Sequence, residues 1–258
     1  MLLAINSGNT NVVFAVYAGD ELRASWRAAT NPKRTADEYA VWLTQLMALN
    51  GLARSDIDAM IVANVVPEAA FNLTGLCRRY FGSEPLIVGS PGCRLGIGID
   101  VDMPAEHVGA DRVANAAAAQ DRYQAPLMVV DIGTATNFDI VDRAGNYCGG
   151  VIAPGPNLSL AALEMAAALL PRVSIERPPR VVGRSTIPAM QSGVFWGYVG
   201  LIEGLVRRIR EERGEAMGVV ATGGLAALFA KATDVIDTVD PDLTLWGLRL
   251  IYRQNTDR

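Results

Sequence analysis

The feature that most limits what this chain can fold into is a repeat. Residues 2–5 are apolar, Asn6-Ser7-Gly8-Asn9-Thr10-Asn11 is a polar turn around a glycine, 12–17 is apolar again, Ala18-Gly19-Asp20 is a second turn, and 21–27 reads as a third strand. The same order returns at residue 127. There 127–130 is apolar, Asp131-Ile132-Gly133-Thr134-Ala135-Thr136 is the polar glycine turn, 137–141 and 147–153 are strands, and Ala144-Gly145-Asn146 joins them. A helix candidate follows each block, over 34–50 and over 158–169. A duplicated three-stranded meander restricts the chain to two similar lobes, and its 258 residues are enough for both.

Each turn places glycine where its backbone freedom is useful, with amides and hydroxyls able to face an anion. Alone, either turn reads as an ordinary hairpin. Paired, they can grip a polyphosphate from two sides.

The rest alternates: strands over 59–63, 86–88 and 218–222, and helices over 112–122, 189–213, 225–231 and 243–253. The expected fold class is therefore mixed α/β, with two duplicated lobes, each a mixed sheet flanked by helices. They divide as 1–115 and 116–258.

Composition narrows the function. Half the residues are hydrophobic and 19% are charged, enough to bury a substantial core. A net charge of -4 and a pI near 5.1 give no electrostatic footprint for nucleic acid. No apolar run approaches the length of a membrane span, and the start lacks a basic leader, so a cytoplasmic protein is expected, neither secreted nor inserted. Cys77, Cys93 and Cys148 are far apart without a CxxC, so no disulfide framework or zinc knuckle is expected. His107 is the sole histidine, which leaves acid-base chemistry mainly to carboxylates.

Among the candidates, Gly109-Ala110-Asp111-Arg112 opens an alanine-rich helix. Asp111 fits an N-cap, and it equally fits a proton acceptor beside an Arg112 clamp for an acidic substrate. Asp131 is the only carboxylate in the two turns, because Asn6 holds the matching place. Magnesium would then arrive largely bound to ATP. There is no GxxxxGK[ST] and no GxGxxG after a strand. Thr222-Gly223-Gly224 follows a strand and lets backbone approach closely. The glycines of 149–155 imply close packing or a cleft wall. Glycines alternate with aromatics over 190–198, which fits a dimer interface or an intrachain core.

Taken together, the two turns, Arg34-Thr35-Ala36-Asp37-Glu38-Tyr39, Gly109-Ala110-Asp111-Arg112, Gly149-Gly150 with Pro154-Gly155, Met190-Gln191-Ser192-Gly193 and Ala221-Thr222-Gly223-Gly224 resemble the type III pantothenate kinases, in register over nearly the whole chain. These belong to the acetate kinase, sugar kinase, Hsp70 and actin superfamily, so the resemblance implies actin/ribonuclease H-like lobes. It implies ATP-dependent phosphorylation of pantothenate to 4'-phosphopantothenate, the start of coenzyme A synthesis, with Mg2+ and a monovalent cation, K+ or NH4+.

Residue by residue, the resemblance implies that Asn6, Ser7, Gly8, Asn9, Thr10, Asn11, Val12 and Val13 line the ATP phosphates and that Thr134 touches ATP. Asp111 would be the proton acceptor. Gly109, Ala110, Asp111 and Arg112 would contact pantothenate, joined by Thr186 from the segment before the glycine-aromatic helix. Asp131 would bind the monovalent cation, and the protein would be a homodimer with substrate contacts near the dimer interface.

Two positions depart from the family pattern. Asn6 stands where an aspartate is usual, which predicts weaker metal organisation. Met103, in Asp102-Met103-Pro104, stands where an asparagine is usual. The alternative function on this fold is a catalytically weakened homologue that acts as a binding or regulatory protein, like the Bvg accessory factor.

Overall fold

The computed structural model describes residues 1–166 and 173–256. They form two compact units: Met1–Ala118 together with the C-terminal segment from Leu243, and Ala119–Asp242. The crossing between them falls within a helix a few residues beyond the 115/116 division expected from the sequence.

In the first unit, β1 (Leu2–Ser7) pairs antiparallel with β2 (Asn11–Ala18), and β2 with β3 (Glu21–Ala29). Gly19, at φ 60°, makes the β2–β3 turn. Helix α1 (Ala36–Leu49) starts from a capping box: Thr35 accepts from the Glu38 amide while the Glu38 carboxylate accepts from the Thr35 amide. Strand β4 (Ala59–Asn64) lies parallel to β1.

Helix α2 (Ala70–Phe81) ends on Gly82, at φ 70°, and leads to β5 (Leu86–Ile87), which is parallel to β4. Leu3, Ile5 and Phe14 pack against Tyr39, Leu43 and Met47 of α1 and Leu73 and Leu76 of α2. The opposite sheet face is covered by the C-terminal helix, which contacts β1 and β4. Burial on both faces explains why 2–5 is a continuous apolar run rather than an alternating one.

After the short strand β6 (Gly98–Ile99), α3 (Ala110–Arg122) carries the chain into the second unit. There β7 (Leu127–Ile132), β8 (Ala135–Val141) and β9 (Asn146–Pro154) rebuild the meander. Helix α4 (Pro156–Ala166) follows. The expected helix ran to 169, and its last three residues lie outside the described residues. Next come α5 (Thr186–Arg213), β10 (Gly218–Thr222) parallel to β7, α6 (Ala226–Ala230), and β11 (Thr238–Val239) parallel to β10. Helix α7 (Leu243–Thr256) returns to the first unit.

The duplication reaches further than the meander. The first sheet runs β3-β2-β1-β4-β5, and the second unit orders its strands β9-β8-β7-β10-β11, the same arrangement position for position. Phe14 and Phe138 occupy equivalent places, both fully buried. Phe195, Val199, Ile202 and Val206 of α5 pack on Met128, Val130 and Val219 much as α1 packs in the first unit. The expected two mixed sheets flanked by helices are borne out.

Two elements differ from expectation. Helix α2 did not announce itself in the sequence, and α5 begins three residues early. Thr186 therefore lies in the first turn of the glycine-aromatic helix rather than before it. Pro188 is tolerated there because first-turn amides have no helical partner.

Candidate active site

Both glycine turns sit at the C-terminal ends of the first strands of their sheets. In the first unit Ser7 pairs with Val12, so four residues, Gly8 to Asn11, make the loop. The Gly8 amide donates to the Asn11 carbonyl (3.0 Å), and the Thr30 hydroxyl donates to the Gly8 carbonyl (2.6 Å). Thr30 also donates its amide to Thr10 (2.9 Å), fixing the loop to the end of β3. Asn9 and Thr10 are exposed, and a methyl group on Gly8 would press on one atom, the Asn11 carbonyl oxygen, at 3.3 Å. The Val12 side chain is fully buried in the core, so only its backbone can face a phosphate. Val13 pairs with Asn6 across the sheet.

The second turn is one residue shorter. Ile132 pairs with Thr136, leaving Gly133, Thr134 and Ala135 as the loop, and the Gly133 amide donates to the Ala135 carbonyl (3.0 Å). Two other glycines press against it. A β-carbon on Gly155 would lie 2.2 Å from the Gly133 carbonyl oxygen and 2.3 Å from that of Thr134, and the Gly155 amide donates to Thr134 (2.9 Å). One on Gly223, at φ 93°, would lie 2.6 Å from both Asp131 Oδ1 and the Ile132 carbonyl. Gly155 and Gly223 thus serve close backbone approach, and what they approach is the second turn.

Each turn buries polar atoms without a partner among the described residues: Asn6 Oδ1 and Ser7 Oγ in the first, Thr136 Oγ1 in the second. Ser7 and Thr136 occupy the same rung of their sheets on opposite strands. A buried polar atom left unpaired costs about 1–3 kcal/mol, so both turns hold hydrogen-bonding capacity that folding alone does not explain. Thr136 was legible only as part of its motif, and Thr30 carried no sequence signal.

Asp111 is in the first turn of α3 rather than at its cap, and its Oδ1 accepts from the Arg112 amide (2.8 Å). Burial pushes its carboxyl above the ordinary carboxylate range, opposed by that amide and by the Arg112 charge. Gly109 makes room for it, since a β-carbon there would stand 2.9 Å from Asp111 Oδ1. Ala110 is the first residue of α3. Thus Asn6 to Val13 and Gly109 to Arg112 belong to the first unit, while Asp131, Thr134 and Thr186 belong to the second. Met103 is 43% exposed and is not a core side chain.

For a cation, Asp131, one residue before the end of β7, pairs with Thr222 of β10, with the Ile132 carbonyl close by. One carboxylate among backbone carbonyls suits a singly charged ion. Among the described residues no group of three or more His, Cys, Asp or Glu could hold a metal. Among the described residues no helix is long and apolar enough to cross a membrane.

In α5, Phe195 and Tyr198 are buried in the core, while β-carbons on Gly193, Gly197 and Gly200 would meet nothing within 4 Å among the described residues. The helix therefore turns Phe195 and Tyr198 inward and its glycines outward. That outward face lines an open groove of about 610 Å3 with Pro154, Leu163 and Thr186.

A family model described as type III pantothenate kinase matches residues 2–208. The type III pantothenate kinase of Rhodospirillum rubrum is 65% identical over 255 residues, covering 99% of each chain. Among solved structures, a conserved putative Baf family transcriptional activator from Campylobacter jejuni aligns with a TM-score of 0.62 at 19% identity, covering 99% of this chain and 100% of that one. A putative N-acetylglucosamine kinase from Porphyromonas gingivalis aligns at 0.53 and 14% identity, with 99% of each chain covered. At such identities the two structures share the fold alone, whereas the sequence match spans the whole chain and all of the motifs above. The chain belongs to the type III pantothenate kinase family.

Proposed function

We propose that this protein transfers the γ-phosphoryl of ATP to the primary hydroxyl of pantothenate, giving 4'-phosphopantothenate and ADP at the entry to coenzyme A synthesis. The observation that carries this reading is 65% identity, over 99% of each chain, to a type III pantothenate kinase.

Asn6 to Asn11, with the backbone of Val12 and Val13, holds the ATP phosphates, and Thr134 touches ATP. Asp111 accepts the hydroxyl proton. Its raised pKa supports that role, because a carboxyl more basic than usual is a better proton acceptor near neutral pH. Arg112, with Gly109, Ala110 and Thr186, holds the pantothenate carboxylate end. Asp131 holds a potassium or ammonium ion. Mg2+ supplies charge neutralisation on the transferred phosphoryl when it enters with ATP.

The protein acts in the cytoplasm as a homodimer, and the glycine face of α5 supports that assembly by offering a surface where a second backbone can approach closely. The regulatory alternative is not favoured, because the likeness that would suggest it rests on fold alone.

The test is product identification by mass from pantothenate, ATP and Mg2+, with K+ exchanged for Na+ and a panel of other small alcohols in parallel. Phosphopantothenate formed preferentially, with potassium stimulation, supports the assignment. A different alcohol turned over faster overturns the substrate while leaving the kinase.

A further inference from the structure

We propose that Thr30 is a positioning residue for the nucleotide phosphates: its hydroxyl holds the Gly8–Asn9 peptide so that the Asn9 amide faces the open side of the first turn. The inference rests on the reading that this turn holds the phosphates of ATP.

The duplication isolates what the Thr30 side chain does. In the first sheet Asn11 pairs with Ala29, and the Thr30 amide donates to the Thr10 carbonyl (2.9 Å). In the second, Ala135 pairs with Pro154, and the Gly155 amide donates to the Thr134 carbonyl (2.9 Å). Thr30 and Gly155 thus hold the same place, one residue beyond β3 and β9, and make the same backbone bond. Their side chains differ. Gly155 cannot carry a β-carbon, which would overlap the Gly133 carbonyl oxygen, so there backbone packs directly on backbone. The first turn is one residue longer, and a side chain spans the gap: the Thr30 hydroxyl donates to the carbonyl of Gly8, the counterpart of Gly133 (2.6 Å).

That bond selects the orientation of one peptide. A two-residue hairpin would close by donation from the Asn11 amide to the Gly8 carbonyl. Among the described residues that bond is absent, and Thr30 takes the carbonyl instead. The C=O and N–H of a trans peptide point in opposite directions. With the Gly8 carbonyl turned toward Thr30, the Asn9 N–H is turned away from β3, at the exposed tip of the turn. An outward backbone amide is a donor suited to a phosphate oxygen. Glycine offers little resistance to rotation of that peptide, so the hydroxyl is what fixes it.

The test is steady-state kinetics with ATP and pantothenate varied separately, and calorimetric titration of ADP, on wild type, Thr30→Val and Thr30→Ser. Valine keeps the shape and loses the hydroxyl. Thr30→Val should raise KM for ATP and weaken ADP by about five- to tenfold, the scale of one hydrogen bond. KM for pantothenate should stay near the wild-type value. Thr30→Ser, which keeps the hydroxyl, should recover most of the loss. Thr30→Ala repeats the hydroxyl deletion should Thr30→Val fail to fold. A fall in kcat with both KM values and ADP affinity unmoved would show a merely structural role and overturn the proposal, as would equal losses in Thr30→Val and Thr30→Ser. ADP binding separates this proposal from the substrate assignment. Hydroxyl-dependent ADP binding without phosphorylation of pantothenate supports the role of Thr30 and overturns the proposed function. Hydroxyl-independent ADP binding with full pantothenate turnover does the reverse, and no ADP binding by wild type overturns both.

Discussion

The two glycine turns descend from one pattern yet are held in different ways. The first is a four-residue loop tied at one side to Thr30, with exposed tips at Asn9 and Thr10 and a glycine whose added β-carbon would meet one backbone oxygen at 3.3 Å. The second is one residue shorter and wedged between the backbones at Gly155 and Gly223, neither of which could carry a β-carbon. The carboxylate follows the same division: Asp131 in the wedged turn, the neutral Asn6 in the open one. Duplication therefore supplied the frame, and differing contacts left one turn exposed at its tip and the other wedged between backbones.

The largest expected effect falls in the half with the open turn, where Asp111 also lies. Asp111→Asn should lower turnover by about 10²–10⁴-fold, the usual contribution of a positioned proton acceptor, with thermal stability retained. Full activity in that variant would remove the acceptor from this half.

Next comes the contrast in wedging. Gly155→Ala and Gly223→Ala should each destabilise by about 3 kcal/mol or more, through overlap with backbone oxygens. Gly8→Ala, which meets one backbone oxygen at 3.3 Å, should cost less, about 1 kcal/mol. Urea denaturation measures all three, and equal losses would dissolve the distinction between the turns.

A smaller effect appears with pH. Burial raises the Asp111 carboxyl, so the folded state disfavours its charged form. That penalty is absent in acid below the ordinary carboxyl value and grows as pH rises through the raised folded value. Asp111→Asn should therefore be more stable than wild type near neutrality, with the gap closing in acid. In wild type, kcat/KM should fall on the acid side at a pH above the ordinary carboxylate range.

The smallest effect is expected from Asn6→Asp, which makes the open turn resemble the other. It should reduce the Mg2+ concentration needed for half-maximal rate and raise turnover by less than about tenfold, roughly the 1.4 kcal/mol of one modest interaction.

The meander repeat was legible because turns and apolar runs are local signals, and it sufficed for the fold class. Helix α2 was not, because Asn72, Thr74 and Gly75 dilute its helical preference and only packing by Leu73 and Leu76 against the first sheet stabilises it. At the site, Asn6, Asp111 and Asp131 stood out by residue type. Thr30 did not, because its role depends on β3 folding back beside the turn. The purpose of Gly155 and Gly223 was equally hidden: a glycine announces close approach, but not to what.

The central claim is that a kinase site is complete with an amide in the open turn. A coupled ADP-release assay with pantothenate, ATP, Mg2+ and K+, on wild type beside Asn6→Asp, tests it most directly. The account predicts pantothenate-dependent turnover by wild type and a modest gain in the variant. Silence from wild type with activity appearing only in Asn6→Asp would contradict it, and would mean that Asn6 had closed the site to chemistry.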